Sequence, residues 1–174
     1  CAKGVAAKEA AEILEERGYS AAYLEEGMEA WSEFYYPVSI YISQDFELLQ
    51  VIRPAKGCLS YFLVSNGEAV VVDPNRHTDV YLELAKQKGV KILHVLDTHL
   101  HADHITGAYE LTQATGAKYW IAASEMQGAV RDYNALTNGL KLQFGSSTLE
   151  VMAISTPGHT PGSTSFLVNE KYFL

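Results

Sequence analysis

The hydrophobic pattern at the start of the chain predicts two short helices. Between residues 7 and 17, apolar side chains recur at i, i+3, i+4 and i+7, and Gly18 follows the charged end as a C-terminal stop. This spacing is typical of an amphipathic helix with an apolar face made by Ala7, Ala10, Ala11 and Leu14. The next run, AAYLEEG, predicts a short strand with a turn, and MEAWSEFYYP predicts a short helix ending near Pro37.

From residue 46 onward the pattern becomes that of strands. β-branched and aromatic residues fill the runs FELLQVIR (46–53), CLSYFLV (58–64) and EAVVVD (68–73), and the turn signal SNG separates the last two. The three runs together predict one antiparallel meander.

Helices and strands alternate in the rest of the chain. Two helices are predicted, TDVYLELAKQK between a capping Thr78 and Gly89, and GAYELTQAT ending at Gly116. Further strands are predicted in ILHVLDTH, YWIAA, LKLQFG, TLEVMAIST and STSFLVN. A meander followed by alternating elements predicts the α/β class, with a mixed sheet and helices outside it.

Composition narrows the range of functions. The 174 residues are 48% hydrophobic and 20% charged, which is ordinary for a globular protein. A net charge of −8 argues against nucleic acid or an anionic membrane as a partner, and no apolar run approaches the roughly 20 residues of a membrane span. No secretion signal opens the chain, and Cys1 and Cys58 cannot form a disulfide framework, so we predict a soluble, cytoplasmic protein. The sequence leaves open whether the chain forms a homo-oligomer.

The run DTHLHADHITG carries the candidate chemistry. His99 and His101 are two apart at the end of a predicted strand, so their side chains are expected on the same side, with Leu100 facing the core. Asp103 and His104 are expected in the first turn of the next helix, directed at the same place from another side. Burying so many polar groups without a metal or dense hydrogen bonding costs several kcal/mol. We therefore predict a metal site.

Imidazole beside carboxylate favours zinc or iron over calcium or magnesium. His159 lies in STPGHTPGST, whose prolines and glycines predict a tight loop that delivers its ring to the same pocket. Asp73 ends an apolar strand and is a candidate for orienting a ligand histidine. His94 and His77 are interpreted as ordinary structural residues. The predicted metal-site residues are His99, His101, Asp103, His104 and His159.

The motifs THLHADH and TPGHT resemble those of the metallo-β-lactamase superfamily, over about residues 40 to 174. The resemblance implies a four-layer αββα sandwich of two mixed sheets between helices, with mainly its N-terminal half present. Within the superfamily, HADHITG and TPGHTPGS are similar to persulfide dioxygenases. The glyoxalase II branch usually has two glycines soon after the Asp-His pair, so Ile105, Thr106 and Gly107 favour the dioxygenases.

The dioxygenase resemblance implies oxidation of a low-molecular-weight thiol persulfide, of the glutathione or coenzyme A type, by oxygen to sulfite and free thiol. It places one Fe(II) on His99, His159 and an aspartate from a later Gly-Asp segment. The hydrolase branch implies two Zn(II) ions and a thioester substrate instead. There, His99, His101 and His159 would hold one zinc, while Asp103, His104 and a further histidine would hold the other.

The beginning and end of the chain predict a fragment of a longer protein. The sequence starts with Cys1 instead of methionine and stops inside the apolar run KYFL. The carboxylate ligand that the resemblance implies would follow Leu174.

A second resemblance covers the first 36 residues, which are similar to the last third of a rhodanese domain. We therefore expect a rhodanese-like segment at 1–36 and the metallo-β-lactamase-like domain at 37–174. Cys1 matches the active-loop cysteine of that domain. It is a candidate catalytic residue, since a helix N-terminus lowers the pKa of a thiol. Asp103 is the candidate catalytic residue of the metal site. The loop lacks the arginine of many active rhodaneses, so a non-catalytic sulfur-carrier module and a structural appendage stay open.

Overall fold

The computed structural model describes residues 1–153, 156 and 158–174. The helices are α1 (Val5–Glu16), α2 (Gly27–Glu33), α3 (Asp79–Lys88) and α4 (Ala108–Thr115). The strands are β1 (Tyr36–Ile42), β2 (Glu47–Arg53), β3 (Cys58–Ser65), β4 (Glu68–Val72), β5 (Lys91–Leu96), β6 (Lys118–Ile121), β7 (Asn134–Ala135), β8 (Lys141–Phe144), β9 (Ser147–Ala153), β10 (Ser165–Val168) and β11 (Tyr172–Phe173). A 3₁₀ turn spans Ala123–Met126.

The chain divides into two compact units. The smaller comprises residues 1–36 with 52–58, and the larger comprises residues 37–51 with 59–174. Among the described residues, no helix has both the length and the apolar character needed to cross a bilayer.

Two sheets form the framework. The first has seven strands in the order β1-β2-β3-β4-β5-β6-β7, and the second has four in the order β11-β10-β9-β8. In the first sheet β3 and β4 are antiparallel, whereas β4, β5, β6 and β7 run parallel, which makes the sheet mixed. The second sheet is antiparallel throughout.

The core of the larger unit lies between the two sheets. Alternate residues of a strand point to opposite faces, and the inward-facing set is apolar on both sheets. From the first sheet come Leu63, Val70, Val72 and Leu96, and from the second come Leu142, Phe144, Leu149, Phe166 and Val168. On the other face of the first sheet, Val71 and Val95 are fully buried, and α4 contacts β5 and β6. The layering agrees with the predicted sandwich.

Local predictions from periodicity are mostly confirmed. Strands β2, β3 and β4 are neighbours in the predicted order, and α3 and α4 end at Gly89 and Gly116, both with positive φ. Positive φ is the conformation in which glycine has no steric cost, which is why these helices stop there. Thr78 does precede α3, but its side chain makes no capping hydrogen bond.

Three local predictions are wrong or only partly testable. The run AAYLEEG forms no strand; residues 21–24 lack regular structure and a turn follows. Strand β5 ends at Leu96 and does not continue to His99. The strand predicted in TLEVMAIST ends at Ala153, and residues 154 and 155 fall outside the described part of the chain.

Candidate metal centre

Three parallel strands bring the polar residues of the site to one edge of the sheet. Asp73 follows β4, the stretch 97–104 follows β5, and Glu125 comes shortly after β6. Because β4, β5 and β6 are parallel neighbours, their carboxyl ends lie at the same edge. Ligands of open α/β sheets bind at this edge.

The histidine rings form one cluster. Ring centroids are 4.1 Å apart for His99 and His101, 4.1 Å for His101 and His104, and 4.9 Å for His99 and His159. The Oδ1 atom of Asp103 lies 3.3 Å from Nδ1 of His104 and 4.0 Å from Nδ1 of His101. The structure thus brings all five predicted metal-site residues together. Their role as ligands stays a prediction.

His99, His101, Asp103 and His104 all lie on the loop between β5 and α4. The expectation that they occupy the end of a strand and the first turn of a helix is wrong. His99 and His101 come after the end of β5, and Asp103 and His104 lie several residues before α4 begins at Ala108. Because the segment is no longer extended, strand alternation does not apply to it. Leu100 was expected in the core but is 52% exposed.

The side chain of Asp73, which follows β4, binds the segment that follows β5. Its Oδ1 accepts a hydrogen bond from the backbone N–H of Thr98 at 2.7 Å, and its Oδ2 accepts one from Thr98 Oγ1 at 2.9 Å. The Thr98 N–H is therefore committed to a side chain and does not extend the β ladder. The same carboxylate lies 3.1 Å from Nε2 of His101, as the sequence analysis proposed for an orienting group.

Hydrogen bonds fix which nitrogen of three histidines is free. The Thr98 hydroxyl gives its single proton to Asp73, so at its 2.8 Å contact with His99 it accepts from Nδ1–H. Nε2 of His99 is left with its lone pair. At His101 the carboxylate of Asp73 accepts from Nε2–H and leaves Nδ1 free.

His104 completes the pattern. Its Nδ1–H donates to Asp103 Oδ1 at 3.3 Å, and its Nε2 is buried without a hydrogen-bond partner among the described residues. A buried, unpaired imidazole nitrogen is costly unless something binds it. A divalent transition metal fits this donor set, because each histidine offers one free nitrogen while its other nitrogen is held by an oxygen.

The electrostatics keep two of these rings neutral. Burial, followed by the charge of His101, lowers the pKa of both His99 and His104. At His101 burial acts in the same direction, but the hydrogen bond and charge of Asp73 outweigh it and raise the pKa. Neutral imidazole is the metal-binding form, so His99 and His104 are ready to bind at neutral pH.

Asp97 is a further carboxylate of the site that the sequence motifs did not indicate. Its carboxyl group is fully buried, and it accepts hydrogen bonds from Tyr119 Oη at 2.8 Å and Thr106 Oγ1 at 3.0 Å. Burial, followed by the charge of Asp73, raises the pKa of Asp97 to about 7. Asp97 Oδ1 lies 3.9 Å from Nε2 of His101, so it supports the same ring as Asp73. The available signal was an acidic residue directly after a buried apolar strand.

Glu125 was also missed, and it contacts two loops. Its Oε2 accepts from the backbone N–H of Leu100 at 2.9 Å, and its Oε1 accepts from the N–H of Gly162 at 2.7 Å. It comes four residues after the end of β6, whereas Asp73 and Asp97 directly follow β4 and β5, so no matching position in the sequence pointed to it.

The other two histidines and the cysteines have different settings. His94 accepts a hydrogen bond from Trp120 Nε1 at 3.1 Å, as expected of a structural histidine, and His77 lies in a loop beside Arg76. Cys58 is buried. Cys1, in the smaller unit, is exposed and precedes α1 by four residues, so it is not within the first turn of that helix.

Comparison with known proteins identifies the family of this fold. The family model of the metallo-beta-lactamase superfamily matches residues 53–171, which is more than half of the chain, so the chain belongs to this superfamily. The match does not include residues 1–52, and the rhodanese resemblance stays a prediction.

Relatives within the superfamily have different named activities. The chain is 35% identical over 127 residues to "Persulfide dioxygenase ETHE1, mitochondrial" of Bos taurus, which covers 71% of this chain and 48% of that protein. It is 33% identical over 121 residues to a hydroxyacylglutathione hydrolase of Methylobacillus flagellatus, covering 70% of this chain and 47% of that protein. The chain therefore spans about half the length of these curated relatives.

Solved structures show the same fold. A metallo-beta-lactamase from Staphylococcus aureus superposes with a TM-score of 0.66 at 26% identity, over 75% of this chain and 40% of that one. ETHE1 from Myxococcus xanthus superposes with a TM-score of 0.58 at 25% identity, over 78% of this chain and 53% of that one. The predicted α/β sandwich fold of this superfamily is confirmed.

Replacing Asp73 should weaken metal binding without unfolding the chain. The substitution Asp73→Asn keeps the shape of the side chain and tolerates the positive φ of 53° found there, but an amide cannot accept all three hydrogen bonds. We expect affinity for Zn(II) to fall by about 10- to 100-fold, measured by competition with a chromophoric chelator. Asp79→Asn, an exposed change at the start of α3, is the matched control. Equal affinities for both variants would contradict the orienting role of Asp73.

Two histidine variants test the division between site and structural histidines. His99→Ala removes a free nitrogen from the cluster and should reduce bound metal to about a tenth or less, because too few ligands remain. His94→Ala removes contacts with Trp120 and with the backbone of Gln143, neither of which belongs to the cluster, and should leave metal content near that of the parent chain. Metal content by mass spectrometry separates the two. Equal losses would show that the division is wrong.

Proposed function

We propose that this chain is part of a metalloenzyme that uses dioxygen to oxidise a low-molecular-weight thiol persulfide of the glutathione or coenzyme A type. The observation that carries the proposal is the free Nε2 of His99 beside the ring of His159, whose centroid lies 4.9 Å away, in a chain 35% identical to proteins named persulfide dioxygenase. The segment Ile105–Gly107 adds support, since it lacks the paired glycines usual in the glyoxalase II branch.

His99 and His159, with a carboxylate from elsewhere in the protein, are the proposed ligands of a single Fe(II). When bound, the iron would supply the redox chemistry that lets dioxygen react with a persulfide. Other residues of the chain orient and shield the histidines of this site. Asp73, acting directly and through Thr98, fixes the tautomers of His101 and His99, and the rings of His101 and His104 are shielded, with side-chain exposures of 6% and 8%.

Asp103 is the proposed catalytic carboxylate. Its side chain is 64% exposed, unlike those of Asp73 and Asp97, so it is the carboxylate of the cluster that an incoming substrate would meet. Slight burial would raise its pKa, but its own backbone N–H and His104 lower it overall, so Asp103 is ionised at neutral pH. An ionised group at this position can accept a proton from a bound thiol or water.

The segment Thr106–Gly107 holds the loop in place. Thr106 Oγ1 donates to Asp97, and Gly107 lies so close to the carbonyl of Asn75 that a Cβ there would overlap it. These contacts hold the histidine-bearing loop, residues 97–107, against the segment that follows β4. Asp73 lies in that segment and contacts His101.

A second candidate function is hydrolysis of a glutathione thioester by two Zn(II) ions. The observation in its favour is that Asp103 and His104 lie together beside His99, His101 and His159, where they would hold the second zinc ion. The zinc ions would supply Lewis acidity. The hydroxyacylglutathione hydrolase of Methylobacillus flagellatus, at 33% identity, supports this alternative.

We also propose that residues 1–36 are a rhodanese-like segment in which Cys1 carries sulfur. Its thiol is exposed, and its backbone carbonyl accepts from the N–H of Met28 at 3.1 Å. Gly27 approaches so closely that a Cβ there would overlap the Cys1 carbonyl oxygen. The cysteine is therefore held against the start of α2 with its side chain accessible.

Metal content and substrate preference separate the two enzymatic proposals. For the full-length protein, we expect about one iron per chain and oxygen consumption with glutathione or coenzyme A persulfide, measured by elemental analysis and an oxygen electrode. Finding two zinc ions per chain and turnover of lactoylglutathione instead would support the hydrolase and exclude the dioxygenase.

A cysteine variant tests the carrier proposal. Cys1→Ser should abolish persulfide formation on the smaller unit after treatment with thiosulfate or glutathione persulfide, because a serine hydroxyl cannot replace the thiolate that accepts the sulfur atom. Cys58→Ser removes the buried thiol and serves as the control. Intact mass spectrometry detects the added sulfur, and its retention in Cys1→Ser would contradict the proposal.

A further inference from the structure

Glu125 joins the two loops that carry the outer histidines of the cluster. It lies in the 3₁₀ turn Ala123–Met126 that follows β6. Its Oε2 accepts from the backbone N–H of Leu100, the residue after His99, at 2.9 Å. Its Oε1 accepts from the N–H of Gly162, three residues after His159, at 2.7 Å. The two oxygens of one carboxylate thus hold backbone atoms from both loops.

We infer that Glu125 is a positioning residue that sets the separation of His99 and His159. This inference rests on the proposed function, in which both histidines bind one metal. A metal ion needs its ligand atoms at fixed distances, and loops that move independently would weaken binding.

The loops have a second connection, which shows what Glu125 adds. The N–H of Thr164 donates to the carbonyl of Thr98, the residue before His99, at 2.8 Å. One hydrogen bond between two loops allows them to pivot about it. A second attachment at Glu125, made to different residues of both loops, removes that freedom.

The His159 loop is also closed internally. The N–H and the hydroxyl of Thr156 both donate to the carbonyl of Ser163, at 2.9 and 3.1 Å. The hydroxyl groups of Thr160 and Ser163 lie 2.9 Å apart. These hydrogen bonds join the two sides of the loop. Holding Gly162 in place therefore also limits the movement of His159.

Gly162 is matched to the carboxylate. A Cβ at this position would overlap Glu125 Oε1 and also crowd Ser124 Oγ. Its φ is not in the left-handed region, so the feature of this position that favours glycine is the close approach of the Glu125 side chain and not the backbone conformation. Any side chain at 162 would displace the carboxylate that holds the loop.

The chemistry of the residue also matters. The two N–H donors approach different oxygens of Glu125, and a carboxylate can accept at both, whereas an amide has only one acceptor atom. Glutamine at 125 has the same shape but would turn an NH₂ group toward one of the two backbone N–H groups. The structure therefore predicts a graded series, with glutamate best, glutamine intermediate and alanine worst.

The test compares Glu125→Gln and Glu125→Ala in the full chain, with Glu110→Gln as control on the exposed face of α4. The first readout is Co(II) and Zn(II) affinity by chelator competition. The second is amide hydrogen exchange of the metal-free protein at Leu100 and Gly162, with Val71 and Val95 of the core for reference.

We expect Glu125→Ala to weaken metal affinity by about 10-fold or more and to speed exchange at Leu100 and Gly162 only. Glu125→Gln should have a smaller effect, and Glu110→Gln none. Gly162→Ala should reproduce the loss in Glu125→Ala, and combining the two should add little, because both break the same contact.

Two outcomes would overturn the inference. One is unchanged metal affinity and exchange in Glu125→Ala while His99→Ala abolishes metal binding, which leaves the proposed site intact but removes Glu125 from it. The other is faster exchange at Val71 and Val95 as well, which would make the effect one of global stability. Metal binding that survives His99→Ala would instead reject the proposed site itself.

Discussion

The parallel pairing of β4, β5 and β6 is the constraint on which the site depends. Val72 pairs with Leu96, and Leu96 pairs with Trp120, so the strands reach the same edge in register. The backbone N–H of Asp73 donates to Leu96 at 2.8 Å, and that of Asp97 donates to Trp120 at 3.1 Å. The last rungs of the ladder therefore fix the backbone positions of both aspartates at this edge.

One carboxylate then organises much of the loop. Asp73 has a positive φ of 53°, a conformation that costs on the order of 1 kcal/mol and that aspartate tolerates better than most residues. From this position it binds the backbone and hydroxyl of Thr98 and the ring of His101. The Thr98 hydroxyl in turn contacts His99 at 2.8 Å. The residue with the strained backbone is thus the one whose carboxylate orients the rings of His99 and His101.

Periodicity in the sequence predicted helices α1 to α4 and eight of the described strands, because burial of alternate or every third and fourth residue is a local property. It did not predict β1, β7 or β11. The end of β5 was not predictable in this way. Its last residue is set by Asp73, which lies 25 positions before Thr98 in the chain. The exposure of Leu100 and the role of Glu125 have the same origin, since both depend on contacts between distant segments. Motif spacing found the histidines, whereas their supporting carboxylates needed the fold.

The choice between one metal and two depends on Asp103 more than on the imidazoles. His99, His101 and His104 each commit one nitrogen to an oxygen, and the nitrogens left free are the same under either proposal. Asp103 Oδ1 contacts His104, while the exposed side chain leaves Oδ2 available. A single metal on His99 and His159 lets Asp103 keep its orienting contact, whereas a second metal requires this carboxylate to bind it. Because Asp103 is mostly exposed, it can turn without uncovering the core, so the scaffold accommodates both arrangements with little change elsewhere.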